Sequence, residues 1–261
     1  GAVAGHSERG LEVLDGVAGD AVETSLRMVD EKKVTVNVKD IPEKLYIETI
    51  CRAGGDCARV VISGEHTNIT LVERNGAALH DSRTERMETG ESPAELVPLD
   101  MDVIYEFSMN APFDDIRFIL ESAAKNRIVA EEGLRGSYGL GVGKKTLEYS
   151  ERGFYPSGLI SDVVSYTAAA VDARMAGVNL PAMSNSGSGN QGITVTLPVL
   201  KVAERLGKSD EELARALILA HLVAIHIKQR MGVLSALCGL VSAATGASCG
   251  ITLLLGGGLA Q

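Results

Sequence analysis

The pattern of apolar and polar positions changes about halfway along the 261-residue chain. In the first half, apolar and polar residues alternate at 34–38, which is the period-2 pattern of a half-buried strand. Runs rich in β-branched residues, bounded by turn signals such as Gly54-Gly55 and Asn75-Gly76, follow at 44–53, 58–64 and 67–76. The segment 7–31 has helical spacing and is expected to pack on one face of the sheet. Residues 1–100 are therefore predicted to form an α+β domain with a small antiparallel sheet.

From about residue 101 the apolar positions recur with helical spacing. They predict helices at 114–133, with Gly133 as its stop, at 157–177 and at 209–232. The third helix begins with a capping box formed by Ser209 and Glu212, and it is apolar nearly all round. Such a helix is typical of the middle of a bundle. The predicted fold class is α+β, with a mainly α-helical second domain at 101–261 that is truncated at its C-terminus.

The net charge and the cysteine content argue against two classes of protein. The net charge is -9 and the sequence pI is about 5.1, which argues against a nucleic-acid partner. Four cysteines are too few for a secreted disulfide scaffold, so a cytoplasmic protein is expected. The chain starts without Met and ends in a Gly run, which predicts an internal piece of a longer protein.

The uncharged stretch 233–261 is long enough to cross a bilayer. Small polar residues and glycines interrupt it repeatedly, which favours a helix buried inside a helical domain. A membrane helix bundle is kept as a third hypothesis, but no membrane partner is predicted. The Gly-rich segment 139–146 does not fit a P-loop, because Lys144 occupies the position of the second required glycine and a helical segment precedes it.

The segment 184–192 contains only small or amide side chains between two apolar flanks, unlike a flexible linker. Its glycines permit positive φ and close backbone approach, and the start of a helix offers N–H groups to an anion. The loop therefore favours a carboxylate-bearing small molecule, with a purely structural turn as the alternative. Pro198 either kinks the following helix or marks its true start.

His221 and Lys228 lie seven residues apart on one face of the third predicted helix. A lysine near a core is a candidate for an altered pKa and for proton transfer. The alternative is a core histidine with satisfied hydrogen bonds beside a lysine whose ammonium reaches solvent.

Four blocks in one order resemble the L-cysteine desulfidase family, which is related to the iron–sulfur L-serine dehydratases. They are "LYIETI", "EHTNITLVERNG", "MSNSGSGNQGITVTLPV" and "RMGVLSALCG". The resemblance implies a [4Fe-4S] cluster held by three cysteines, with one iron open as a Lewis acid. It also implies a lyase that converts L-cysteine to pyruvate, ammonia and sulfide, or L-serine to pyruvate and ammonia by loss of water.

The resemblance assigns Cys238 as one cluster ligand and places the other two outside this chain, so the chain alone is expected to bind no stable cluster and to be inactive. Cys249 does not match a family ligand. The implied substrate-binding residues are Asn185, Ser186, Gly187, Ser188, Gly189, Asn190, Gln191, His66 and Thr67, although His66 and Thr67 also fit an ordinary strand end.

Lys228 and His221 are the candidates for the general base, and the residues do not decide between them. A non-catalytic amino-acid-binding module is the alternative function. The choice between cysteine and serine stays open, as does the oligomeric state, with a homodimer as one option.

Overall fold

The computed structural model describes residues 5–6, 8–9, 13–43, 45–64, 68–83, 99–231, 235 and 237–260. Contacts divide the chain into two compact units, Gly1–Ala94 and Glu95–Gln261. Helices and a four-stranded antiparallel sheet together confirm the predicted α+β class.

The first unit contains helix α1 (Gly19–Asp30) and a sheet in the order β1-β2-β3-β4. The strands are β1 (Tyr46–Ala53), β2 (Asp56–Ser63), β3 (Ile69–Arg74) and β4 (Ala77–Asp81). Gly54-Gly55 joins β1 to β2, and Asn75-Gly76 joins β3 to β4, each with positive φ at both residues. These are the hairpin turns that the sequence predicts.

Two expectations for this unit are wrong. The segment 34–38 forms no strand, and Val36 and Val38 are fully exposed. Alternation alone does not make a strand, because a strand also needs a neighbour that accepts its backbone hydrogen bonds. Helix α1 buries none of its residues and, among the described residues, contacts no strand of the sheet.

The second unit is helical. Its helices are α2 (Met101–Asn110), α3 (Phe113–Ile116), α4 (Leu120–Arg135), α5 (Val142–Glu151), α6 (Leu159–Met175), α7 (Gly189–Leu206), α8 (Asp210–Met231) and α9 (Gly239–Leu254), with a 3₁₀ turn at Arg117–Ile119. Within the described part of the chain, no helix combines the length and the apolar character that a bilayer span needs.

Aliphatic side chains from α4, α6, α7, α8 and α9 form the main core of the helical unit. Helices α7 and α8 supply much of it, and for α8 the all-round apolar pattern predicts this position. The capping box of α8 is present, because the Ser209 hydroxyl accepts from Glu212 N–H and the Glu212 carboxylate accepts from Ser209 N–H. Fully buried members of the core include Val129, Ile193, Leu197, Leu217 and Ala243.

One helix-boundary expectation requires correction, and one alternative is decided. Gly133 does not end its helix, which continues to Arg135. A β-carbon at position 133 would overlap the Ala169 carbonyl, so the glycine lets α4 approach α6 closely. Of the two alternatives for Pro198, the start of the helix is wrong, because Pro198 lies inside α7, which begins nine residues earlier at Gly189.

Candidate functional site

The loop before α7 is a tight turn closed by two backbone hydrogen bonds. Asn185 N–H donates to Ser188 O at 3.1 Å, and Ser188 N–H donates to Asn185 O at 3.0 Å. The two residues between them, Ser186 and Gly187, have φ of 49° and 77°. Positive φ at both central positions is the mark of a type I′ turn. For Ser186 this conformation is uncommon, and the turn holds its side chain at an exposed tip.

The loop passes directly into α7, where Ser188 is the N-cap. Its hydroxyl accepts from Gln191 N–H at 3.3 Å. A β-carbon at Gly192 would overlap the Met183 carbonyl, and one at Gly189 would overlap the Arg174 guanidinium. Both glycines therefore allow close approach of groups from the same chain.

Asn126 on α4 fixes the start of the loop. Met183 N–H donates to Asn126 Oδ1 at 2.9 Å, and Asn126 Nδ2 donates to Met183 O at 3.4 Å. Asn126 is completely buried, so these bonds form away from competing water. The sequence pattern missed this residue, because its partner lies 57 positions away.

A chain of buried polar side chains connects the turn to α8. Gln191 Nε2 donates to Asn185 Oδ1 at 2.7 Å, and Asn185 Nδ2 lies 3.1 Å from His221 Nδ1. The other ring nitrogen, His221 Nε2, lies 3.0 Å from Thr196 Oγ1. We call the four residues Gln191, Asn185, His221 and Thr196 the buried polar chain. It ties the candidate loop to the two central helices of the bundle.

The orientation of Asn185 determines the state of the His221 ring. Asn185 Nδ2 also faces the His221 backbone oxygen at 3.3 Å, and that oxygen can only accept. His221 Nδ1 is therefore an acceptor, and the proton of the neutral ring sits on Nε2 and points to Thr196. Burial lowers the pKa of His221 from 6.5 to about 4.

These contacts argue against His221 as the general base. Both ring nitrogens are engaged inside the protein, and only 8% of the residue is exposed. Of the two alternatives from the sequence, the structure favours the core histidine with satisfied hydrogen bonds. Lys228 lies two helical turns farther along α8 and is half-buried, with no hydrogen bond or ion pair to any described residue.

Cys238 lies next to the far end of the buried polar chain. It is exposed and is the N-cap residue of α9, where no described side chain makes a capping hydrogen bond. Gln191 Oε1 is buried and accepts from no donor in the part of the chain that the structure describes. This oxygen would lie 2.5 Å from a β-carbon at Gly239, the residue after Cys238. The loop and the candidate cluster ligand are therefore neighbours in space, although they are about 50 residues apart in sequence.

The Cys238 thiol is exposed at the start of α9 and is therefore accessible as one ligand of a metal site. Among the described residues, no three His, Cys, Asp or Glu side chains come together as a metal site. Cys249 is half-buried on the same helix, and burial raises the pKa of its thiol.

Arg174 on α6 is a second residue that the sequence pattern missed. Its guanidinium donates to Asn190 Oδ1 at 3.0 Å and lies against Gly189 at the start of α7. A cation beside a helix N-terminus strengthens the preference of this position for an anionic group. The signal available in the sequence was a single arginine in the last turn of a predicted helix. His66 and Thr67 lie outside the described residues.

Residues 8–261 match the family model described as serine dehydratase alpha chain. The UPF0597 protein of Oleidesulfovibrio alaskensis is 49% identical over 261 residues, which cover 100% of this chain and 61% of that protein. The UPF0597 protein of Bacteroides thetaiotaomicron is 47% identical over 262 residues, with the same two coverages. No solved structure matches. The chain spans about 61% of the length of these curated relatives, and it belongs to the serine dehydratase alpha chain family.

Proposed function

We propose that the full-length protein is a lyase that acts on L-cysteine or L-serine. It removes a proton from Cα and breaks the bond from Cβ to sulfur or oxygen. Sulfide or water leaves, and the resulting aminoacrylate tautomerises and hydrolyses to pyruvate and ammonia. Membership of the serine dehydratase alpha chain family supports this reaction class, and the sequence blocks that resemble the cysteine desulfidases keep sulfide beside water as a candidate leaving group.

The observation that carries the proposal is the position of Cys238 beside the loop that precedes α7. In the proposal Cys238 supplies one ligand of a [4Fe-4S] cluster, whose open iron would act as a Lewis acid on the leaving group. The other ligands would come from parts of the full-length protein beyond this chain. The chain by itself is then inactive.

The residues of the loop would bind the substrate carboxylate. The N-terminus of α7 and the Arg174 guanidinium both favour an anion. The Ser186 hydroxyl donates to Asn185 Oδ1 and the Asn190 amide contacts Arg174 and Met175, so each would exchange its present partner for the substrate to add a further hydrogen bond. Ser188 and Gln191 act mainly within the loop, because Ser188 caps α7 and Gln191 Nε2 holds Asn185.

Lys228 is retained as the candidate base. His221 instead holds Asn185, and through it the turn, in a fixed orientation. In the proposal, Lys228 would move the proton, whereas His221 would position the substrate loop.

The test uses the full-length protein after anaerobic cluster reconstitution, with sulfide and pyruvate measured from L-cysteine and from L-serine. We expect turnover by the wild-type protein, its loss in Cys238→Ser, and its retention in the matched control Cys249→Ser. Absence of turnover with both amino acids would contradict the lyase. Calorimetric binding of an amino acid without turnover would support the alternative, a non-catalytic amino-acid-binding module.

A further inference from the structure

Of the two polar groups in the Gln191 amide, only the nitrogen makes a hydrogen bond to a described residue. Its Nε2 donates to Asn185 Oδ1, while its Oε1 is buried and accepts from no described donor. Only 1% of the residue is exposed. A buried carbonyl oxygen without a donor costs stability, so its position calls for an explanation.

The orientation of this amide is fixed from the other side. The His221 backbone oxygen requires the NH₂ group of Asn185, which leaves Asn185 Oδ1 for Gln191. If the Gln191 amide were turned over, two oxygen atoms would face each other. Gln191 Oε1 must therefore point away from Asn185.

The open oxygen points at the first turn of α9. A β-carbon at position 239 would lie only 2.5 Å from it, so the side chain occupies the space that any larger residue at 239 would need. The preceding residue is Cys238, at a helix end without a side-chain cap. Gln191 thus contacts the turn that carries the thiol, and the buried polar chain holds Gln191 in place.

We infer that Gln191 is a positioning residue for Cys238, and that it transmits the geometry of the substrate loop to the start of α9. The role of Cys238 as a cluster ligand rests on the proposed function. The contact between Gln191 and the first turn of α9 does not, so the two can be tested separately.

The first experiment is a double-mutant cycle in the full-length protein without cluster. Hydrogen–deuterium exchange of residues 237–245 is followed by mass spectrometry in wild type, Gly239→Ala, Gln191→Ala and the double variant. In the wild-type background we expect G239A to accelerate exchange about tenfold, because the new methyl group displaces the Gln191 amide. In the Q191A background the same change should have less than about twofold effect, because the space is then free.

An equal effect of G239A in both backgrounds would overturn the inference. If Q191A does not fold, Gln191→Asn replaces it, because it keeps an amide and withdraws the oxygen from Gly239 by one methylene. Asn190→Ala is the matched control. It alters the neighbouring residue, whose contacts are with Arg174 and Met175, and should leave exchange at 237–245 unchanged.

The second experiment follows the visible absorbance of the reconstituted protein in air. We expect Q191A to lose its cluster several-fold faster than wild type and N190A, with unchanged circular dichroism. Equal lifetimes in Q191A and wild type would overturn the inference. If wild type takes up no cluster, the proposed function fails, and the exchange experiment alone decides whether Gln191 positions the turn.

Discussion

At the scale of single residues, the neutral state of His221 is part of the fold. Its Nδ1 accepts from Asn185 and its Nε2 faces Thr196, so a second ring proton would meet the NH₂ group of Asn185. Burial adds the cost of removing a charge from water, and the pKa falls to about 4. Protonation therefore opposes the native arrangement of the whole buried polar chain.

This predicts how stability depends on pH. Because the pKa is lowered in the folded chain, the unfolded chain binds the proton first as the pH falls below about 6.5. The stabilisation is complete above that pH and is lost progressively between about 6.5 and 4, to a total of about 3 kcal/mol. Urea unfolding of the chain at a series of pH values measures it. The same series on His221→Gln should lack this component, and parallel curves for the two proteins would contradict the assignment.

The sequence identified His221, Asn185 and Gln191 as polar residues of interest but could not pair them. Asn185 and His221 are 36 positions apart, and Thr196 and His221 are 25 apart, so helical spacing carries no information about their contacts. Asn126 had no local signal, and the only signal for Arg174 was its place in the last turn of a predicted helix. Their roles come from the packing of α4 and α6 against the loop, which only the tertiary structure supplies.

At the scale of elements, the junction between the loop and α7 depends on two glycines for different reasons. Gly187 has φ of 77° in the turn, with open space where a β-carbon would be. Gly192 has no positive φ, but a β-carbon there would overlap the Met183 carbonyl. Gly187 is needed for the backbone conformation of the turn, and Gly192 is needed for the close packing of α7 against the loop backbone.

Substitution by alanine should distinguish these two roles. Gly187→Ala should cost about 1 kcal/mol, which is the cost of a left-handed conformation with a β-carbon. Gly192→Ala should cost more, about 2 to 3 kcal/mol, because a backbone carbonyl cannot move aside as a side chain can. Thermal or urea unfolding of the two variants provides the comparison. A larger cost for Gly187→Ala would show that the turn, not the packing, controls this junction.

Local signals predicted the elements well where a cap or turn set the boundary. The interactions that form the capping box of α8 and the turn at Asn75-Gly76 join residues that lie within four positions of one another in the sequence. Predictions failed where a distant partner decides. The alternating segment 34–38 has no neighbouring strand among the residues that the structure describes, and Gly133 lies inside a helix that packs closely against α6.

At the scale of the molecule, the helical unit has a hydrophobic core of its own. That core draws on α4, α6, α7, α8 and α9, and many of its members have no exposed surface. A fragment comprising 95–261 should therefore fold by itself, with a cooperative transition and the helical circular dichroism of the unit. A fragment that lacks a cooperative transition would contradict this, and the complete chain is the control.

The α+β class followed from periodicity, whereas the predicted boundary at residue 100 stays a prediction.

Helix α9 has a low intrinsic helix propensity, and packing against the neighbouring helices stabilises it. Gly239, Gly246 and Gly250 let its backbone lie against Gln191, Ala220 and Ala216, but each glycine lowers intrinsic helix propensity by about 1 kcal/mol relative to alanine. We therefore expect α9 to form late in folding, when α7 and α8 are already in place. Cys238 would then reach its final position only in an assembled bundle, which in the proposed lyase would delay metal loading until the surrounding structure can protect the cluster.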